Sequence, residues 1–243
     1  MIRDNRQQLS STEKVAQMNK KYSKSSNEHF QRNLNSEEDL QGWRNNLVDF
    51  STKIYKNPSL IDLGCGLGDK SYRFINKVSQ QLDSLHLVDF SSESINFVVD
   101  TFKQIDIKNK NFVVSDANVY LRRLEIDSIN LVFMFGFVHE VHERKDLLIN
   151  LKKVLRDNYL VIISDNLLHF KLSTLKTELN SVFDNNYVFR VKKLIKDYKV
   201  LYSFNPFIIK VLKHRGRTDK FFTITTSYPK NKLKNILRLK YKL

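Results

Sequence analysis

The sequence predicts an α/β fold: a doubly wound, mostly parallel seven-stranded sheet ending in an antiparallel hairpin, under an N-terminal helical cap. Three observations carry this expectation. Apolar runs of strand length alternate with helical patterns across 58–165, as consecutive strand–helix–strand units do when they build a parallel sheet covered on both faces. Near the start, Leu60-Ile61-Asp62-Leu63 runs into a loop with glycines at 64, 66 and 68, which reads as a strand, a tight turn and a helix start. Late in the chain, two apolar stretches at 207–214 and 221–227 flank Arg215-Gly216-Arg217-Thr218-Asp219, a hairpin signal.

The elements follow in order. Residues 1–35 are polar with scattered apolar positions, among them Tyr22 and Phe30, and suggest one or two short helices. Ser36 followed by Asp39 reads as a capped helix start, and Leu40, Trp43, Leu47, Phe50 and Ile54 continue it at helical spacing to about Tyr55. Asn57-Pro58 ends it. Strands are expected at 60–63, 85–90, 112–115, 131–135 and 159–164, with helices at 70–82, 92–105, 117–124 and 143–156. In the last helix Leu147, Leu148, Leu151, Val154 and Leu155 share one face. Further helices are expected at 171–183 and 187–200, a possible lid over a substrate pocket. The domain plan is thus a cap or lid over 1–57, an α/β domain over 58–229 and a basic tail over 230–243.

Composition bounds the function. The 243 residues are 41% hydrophobic and 12% aromatic, a globular composition with length for a full core. Cys65 is the single cysteine, so no intramolecular disulfide forms. The longest apolar run, 131–138, falls far short of a membrane span. The first residues lack the apolar stretch of a secretory signal. A soluble, cytoplasmic protein with no membrane span is the expectation. The net charge is +15, and residues 166–243 carry 18 basic against 4 acidic side chains, while 59–165 carry 13 against 15. A basic final third fits a nucleic-acid, phosphate or anionic-membrane face, and equally a lysine-rich solvated surface.

The chemistry lies in the glycine loop and the acids after it. Gly64-x-Gly66-x-Gly68 is one residue tighter than the dinucleotide fingerprint, and no Gly-Lys-Ser/Thr follows to make a phosphate loop. The next strand ends in Asp89, 21 positions after Gly68, where a carboxylate accepts from ribose hydroxyls. The third ends at Ser115-Asp116-Ala117, where Asp116 can accept from the exocyclic amine of adenine. His139-Glu140-Val141-His142 lacks the spacing of the zinc-protease helix, and no metal site is expected.

Together these segments resemble the class I S-adenosylmethionine-dependent methyltransferases. The resemblance is carried by Asp62-Leu63-Gly64-Cys65-Gly66-Leu67-Gly68, Asp89, Ser115-Asp116-Ala117, the stretch Asn130 to Glu140 and the segment Leu151 to Asp165. It covers roughly 58–165, with the late hairpin matching the antiparallel end of that fold. It implies S-adenosyl-L-methionine as cofactor, bound by the loop from Asp62 through Gly64, Cys65, Gly66 and Gly68. It implies Asp89 at the ribose, Asp116 at the adenine amine, Phe90 and Ala117 flanking the adenine, and Phe135 and Gly136 beneath the sulfonium. Tyr22 would join from a lid. The family often has Asp where Asn130 stands and Pro-Gly-Gly where Asp157-Asn158-Tyr159 stands, so the turn before the fifth strand is expected to be built differently.

On the acceptor side the candidates are His139, Glu140, His142 and Asp165, of which His139 can orient or deprotonate an acceptor or merely pack the pocket. No Asn/Asp-Pro-Pro-Tyr signature follows the fourth strand, and Cys65 belongs to the cofactor loop. Methylation of an N or O atom on a small molecule or peptide natural product is the leading expectation. The alternatives are an RNA methyltransferase using the basic final third, with its interleaved aromatics, and a non-catalytic binding module. Oligomeric state is not written in the sequence.

Overall fold

The computed structural model describes residues 26–36, 55–166, 172–183, 186–194, 197–200, 209–212 and 219–226. Five strands are parallel: β1 (Ser59–Leu63), β2 (Ser84–Asp89), β3 (Asn109–Val114), β4 (Ile129–Phe135) and β5 (Leu155–Asn166). Their order is β3-β2-β1-β4-β5, so chain direction across the sheet reverses between β1 and β4. Helices connect them. After α1 (Ser26–Ser36) come α2 (Tyr72–Val78), α3 (Ser92–Phe102), α4 (Ala117–Leu121) and α5 (Arg144–Val154). Each expected strand and helix of 60–156 is present, with ends shifted by a few residues.

The sheet is buried on both faces, as β1 and β4 record with every residue buried. One face packs Leu60, Leu85, Leu87, Phe133 and Ile162 against Phe74, Ile75, Val98 and Phe102 of α2 and α3. The other packs Ile61, Leu63, Val132, Met134 and Ile163 against Leu121, Leu147, Leu151 and Val154 of α4 and α5. Neighbouring strand residues point to opposite faces, so a continuous apolar run serves both layers.

β5 begins directly where α5 ends. Its pairing with β4 steps from Ile129↔Leu155 to Leu131↔Leu160, so β5 carries three extra residues in a bulge between 155 and 160. Side chains close the bulge: the Asn130 amide donates to Asn158 Oδ1 at 2.8 Å, and Arg156 donates to Asn130 Oδ1 at 3.0 Å. Asn130 and Asn158 thus do together what a glycine turn does elsewhere.

The expectation of seven strands ending in a simple hairpin is corrected. Beyond the five parallel strands the described residues hold four more, β6 (Asn186–Leu194), β7 (Asp197–Val200), β8 (Ile209–Leu212) and β9 (Asp219–Thr226). β9 lies antiparallel between β5 and β6, β7 pairs with β6, and β8 also pairs with β9. The chain joining β8 to β9 is outside the described residues. The helix expected at 187–200 is also corrected, because that stretch forms β6 and β7. Tyr187, Phe189 and Val191 alternate as well as they fit a helical face, and pairing with β9 (Tyr187↔Ile224, Phe189↔Phe222) decides for the strand. The helix expected at 171–183 is α6 (Leu172–Asn180). It buries Leu175 and Leu179 in the α5-side core, and Arg144 binds Glu178 through two bonds of 2.9 and 3.1 Å. The helix expected at 36–55 and the basic tail lie outside the described residues.

Candidate functional site

Ligands of open α/β sheets bind at the carboxyl ends of the strands, where the strand order reverses. Here that edge, between β1 and β4, gathers Asp62 and the glycine loop, Asp89, Asp116, Phe135, Gly136 and Asp165. The register explains the gathering: Leu63↔Val88, Asp89↔Val114 and Phe135↔Ser164 bring the strand ends level.

The loop is tied to β2. Gly64 and Cys65 donate backbone N–H groups to the Val88 carbonyl at 2.8 and 3.1 Å. Gly66 donates to Asp89 Oδ2 and Ser91 to Asp89 Oδ1, both at 2.9 Å. Asp89 is buried, with both oxygens oriented by backbone donors. Burial raises its pKa above the usual carboxylate range, opposed by those bonds. Gly64 has φ +66°, and a Cβ there would fall 2.1 Å from the Phe137 ring. That ring closes over the loop from the far side of the edge, a contact the sequence did not disclose.

Asp62 is fully buried at the end of β1. Burial lifts its pKa to about 7, and Ser71 and Lys70 only partly oppose it. Its Oδ1 has no hydrogen-bond partner among the described residues. Cys65 is buried in the α2-side core, and burial, then Asp89, pushes its thiol well above the usual range, so it is no nucleophile.

Ser115 N–H donates to the Asp89 carbonyl at 3.0 Å, setting the ends of β2 and β3 side by side. Asp116 caps α4, accepting from Val119 N–H at 3.1 Å. Ala117 is buried behind it and Phe90 is half-buried. Phe135 divides between the core and the crevice. Its ring stacks on Phe133 at 5.0 Å inside the core, and its carbonyl is what meets the crevice, accepting from Lys70 Nζ at 2.8 Å. Lys70 was not singled out by any spacing rule. Tyr22 lies outside the described residues. In its region α1 seats Phe30 and Leu34 with Leu67 of the glycine loop, and Phe30 meets Tyr72 edge-on at 5.4 Å.

The acceptor-side candidates separate. His139 and Asp165 form a close pair: Nδ1 donates to Asp165 Oδ1 at 2.7 Å, and the His139 backbone N–H donates to Oδ2 at 3.0 Å. Glu140 Oε1 lies 3.0 Å from Nε2. Burial works against the imidazolium, but the bonds to Asp165 and Glu140 outweigh it and raise the pKa to about 9. His142 is exposed. Among the described residues no group of three metal-ligating side chains comes together, and no helix is long and apolar enough to cross a membrane.

The sequence model described as "Methyltransferase domain" matches residues 54–217. The chain belongs to that methyltransferase family. It is a methyltransferase, and its cofactor is S-adenosylmethionine. The non-catalytic alternative is thereby set aside. Similar folds include a TehB-like S-adenosylmethionine-dependent methyltransferase from Corynebacterium glutamicum (17% identity, 86% of this chain and 97% of that one, TM-score 0.55). Another is the plantazolicin methyltransferase BamL (13% identity, 88% and 96%, TM-score 0.54). A third is a methyltransferase from Aquifex aeolicus (16% identity, 74% and 89%, TM-score 0.50). At these identities the likeness is one of fold. No curated protein matches the methyltransferase.

The site fits the cofactor on its own evidence. Asp62 presents a buried acceptor oxygen without a partner among the described residues, suited to an ammonium. Asp89 has both oxygens fixed, with lone pairs left for hydroxyl donors.

Proposed function

We propose that this methyltransferase acts on an N or O atom of a small molecule or peptide natural product, with His139 as general base. The observation that carries the reading is the His139–Asp165 pair at the carboxyl ends of β4 and β5, next to Gly136. When bound, S-adenosylmethionine supplies a methyl group activated by the sulfonium charge. The chain's residues then hold, align and deprotonate. Asp89 holds the ribose, Asp116 offers its second oxygen to the adenine amine, and Asp62 takes the methionyl ammonium. Phe90 and Ala117 border the adenine. His139 Nε2 would take up the proton that the acceptor loses on methylation. Asp165 keeps the Nδ1 proton in place and balances the resulting imidazolium. Half-exposed Glu140 sits at the Nε2 side, where it can yield to substrate, and His142 lines the approach.

With a pKa raised to about 9, His139 is mostly protonated at neutral pH, and the proton is taken by its neutral form. The same titration means that the competent neutral form grows as pH rises toward 9. α1 supports a lid role for the N-terminal segment, since it rests on Leu67 at the mouth of the loop. BamL, recorded with a desmethyl plantazolicin analogue and S-adenosylhomocysteine, is a fold precedent for a peptide-derived acceptor.

Two measurements test the reading. Tritiated cofactor incubated with fractionated cell extract should label small metabolites or peptides; label confined to RNA would replace this reading with the nucleic-acid alternative. With the labelled acceptor in hand, His139→Gln should lower kcat by roughly 10²–10⁴-fold while S-adenosylhomocysteine binding by calorimetry stays unchanged. Retained kcat would remove His139 from the chemistry.

A further inference from the structure

Three carboxylates crowd the crevice: Asp62, Asp69 and Asp89 are all buried. Of the charged groups among the described residues that act on Asp62, Lys70 is the one cation, against Asp69 and Asp89. Lys70 follows the glycine loop directly, and its side chain crosses to the opposite strand end, where Nζ donates to the Phe135 carbonyl at 2.8 Å. Gly136 leaves it room. A Cβ at that position would lie 2.6 Å from Nζ, and the Gly136 backbone is in the left-handed region at φ +69°. The ammonium thus stands at the end of β4, close enough to the end of β1 to act on Asp62. A carbonyl supports it but does not neutralise it, and an ammonium carries three donors.

We propose that Lys70 binds the carboxylate of the cofactor's methionyl end, so that the enzyme selects a donor with its amino-acid group intact. This rests on the reading of the β1–β4 crevice as the cofactor site. The amino-acid end of that ligand is a zwitterion. Its ammonium suits the acids at the end of β1. Its carboxylate, brought beside three acids, is repelled unless a cation is placed there, and Lys70 is that cation. The bond to Phe135 holds the long side chain across the crevice beforehand, so less rotamer freedom is lost on binding. The strength of a charge-assisted bond then goes to discrimination.

The decisive pair of ligands is S-adenosylmethionine and its decarboxylated form, which differ only in the carboxylate. Their affinities are measured by calorimetry on wild type, Lys70→Met and Lys70→Arg. Wild type should favour the carboxylated ligand by about tenfold or more. Lys70→Met should erase that preference while binding the decarboxylated ligand within about twofold of wild type, which also reports an intact fold. Lys70→Arg should keep part of the preference. Equal losses for both ligands in Lys70→Met, or no loss for either, would overturn the proposal. Wild type that binds neither ligand would overturn the site reading beneath it, a different result from a preference that ignores Lys70.

Discussion

Gly64 shows how closely single residues bind the two sides of the site together. It needs a left-handed backbone, and its missing Cβ admits the Phe137 ring from the β4 side. Gly64→Ala should therefore cost stability twice, through backbone strain of about 1–3 kcal/mol and overpacking of about 1–3 kcal/mol. Urea unfolding checks this, and adding Phe137→Ala should recover the overpacking part only. A double mutant no better than Gly64→Ala would show that the ring is not what the glycine accommodates. At this scale the sequence disclosed the glycines and the acids, because turn chemistry and strand ends are local. It did not disclose Phe137 or Lys70, whose partners lie 73 and 65 positions away.

Among the elements, α1 is the one whose docking belongs to the site and not to the sheet core. Phe30 is 3% exposed and meets Tyr72 and Phe97 at 5.4 and 5.5 Å, while Tyr72 leads α2 out of the glycine loop. Phe30→Ala removes a buried ring from a small satellite cluster. It should undock α1 at a local cost of up to about 3–5 kcal/mol. Hydrogen exchange should rise across 26–36 and the glycine loop, with little change in β4 or β5. Protection in 26–36 equal to wild type would rule out the docking as described. The stretch 187–200 carries the opposite lesson. Its apolar residues satisfy both a helical and an alternating pattern, so local sequence left the choice open and β9 made it.

Across the molecule, two buried titrations tilt stability in the same direction. Asp62 has a folded pKa of about 7 against 3.8, so the folded state binds more protons and stability falls as pH rises from about 4 to 7. His139 has a folded pKa of about 9 against 6.5. Its contribution is complete below 6.5 and is lost as pH rises through 9. Thermal midpoints should therefore decline from mildly acid to mildly alkaline pH, and Asp62→Asn with His139→Gln should flatten the decline. An unchanged slope in the double variant would contradict both assignments. The parallel half of the fold, β1 to β5 with its helices, was determined by sequence alone, because apolar periodicity, glycines and caps act over a few residues. The glycine loop was legible in the same way. The tertiary structure alone decided the place of β9 between β5 and β6, the His139–Asp165 pair and the Lys70 bridge. Each depends on which strand ends lie side by side, and that is fixed by the packing of the whole sheet and not by any segment of it.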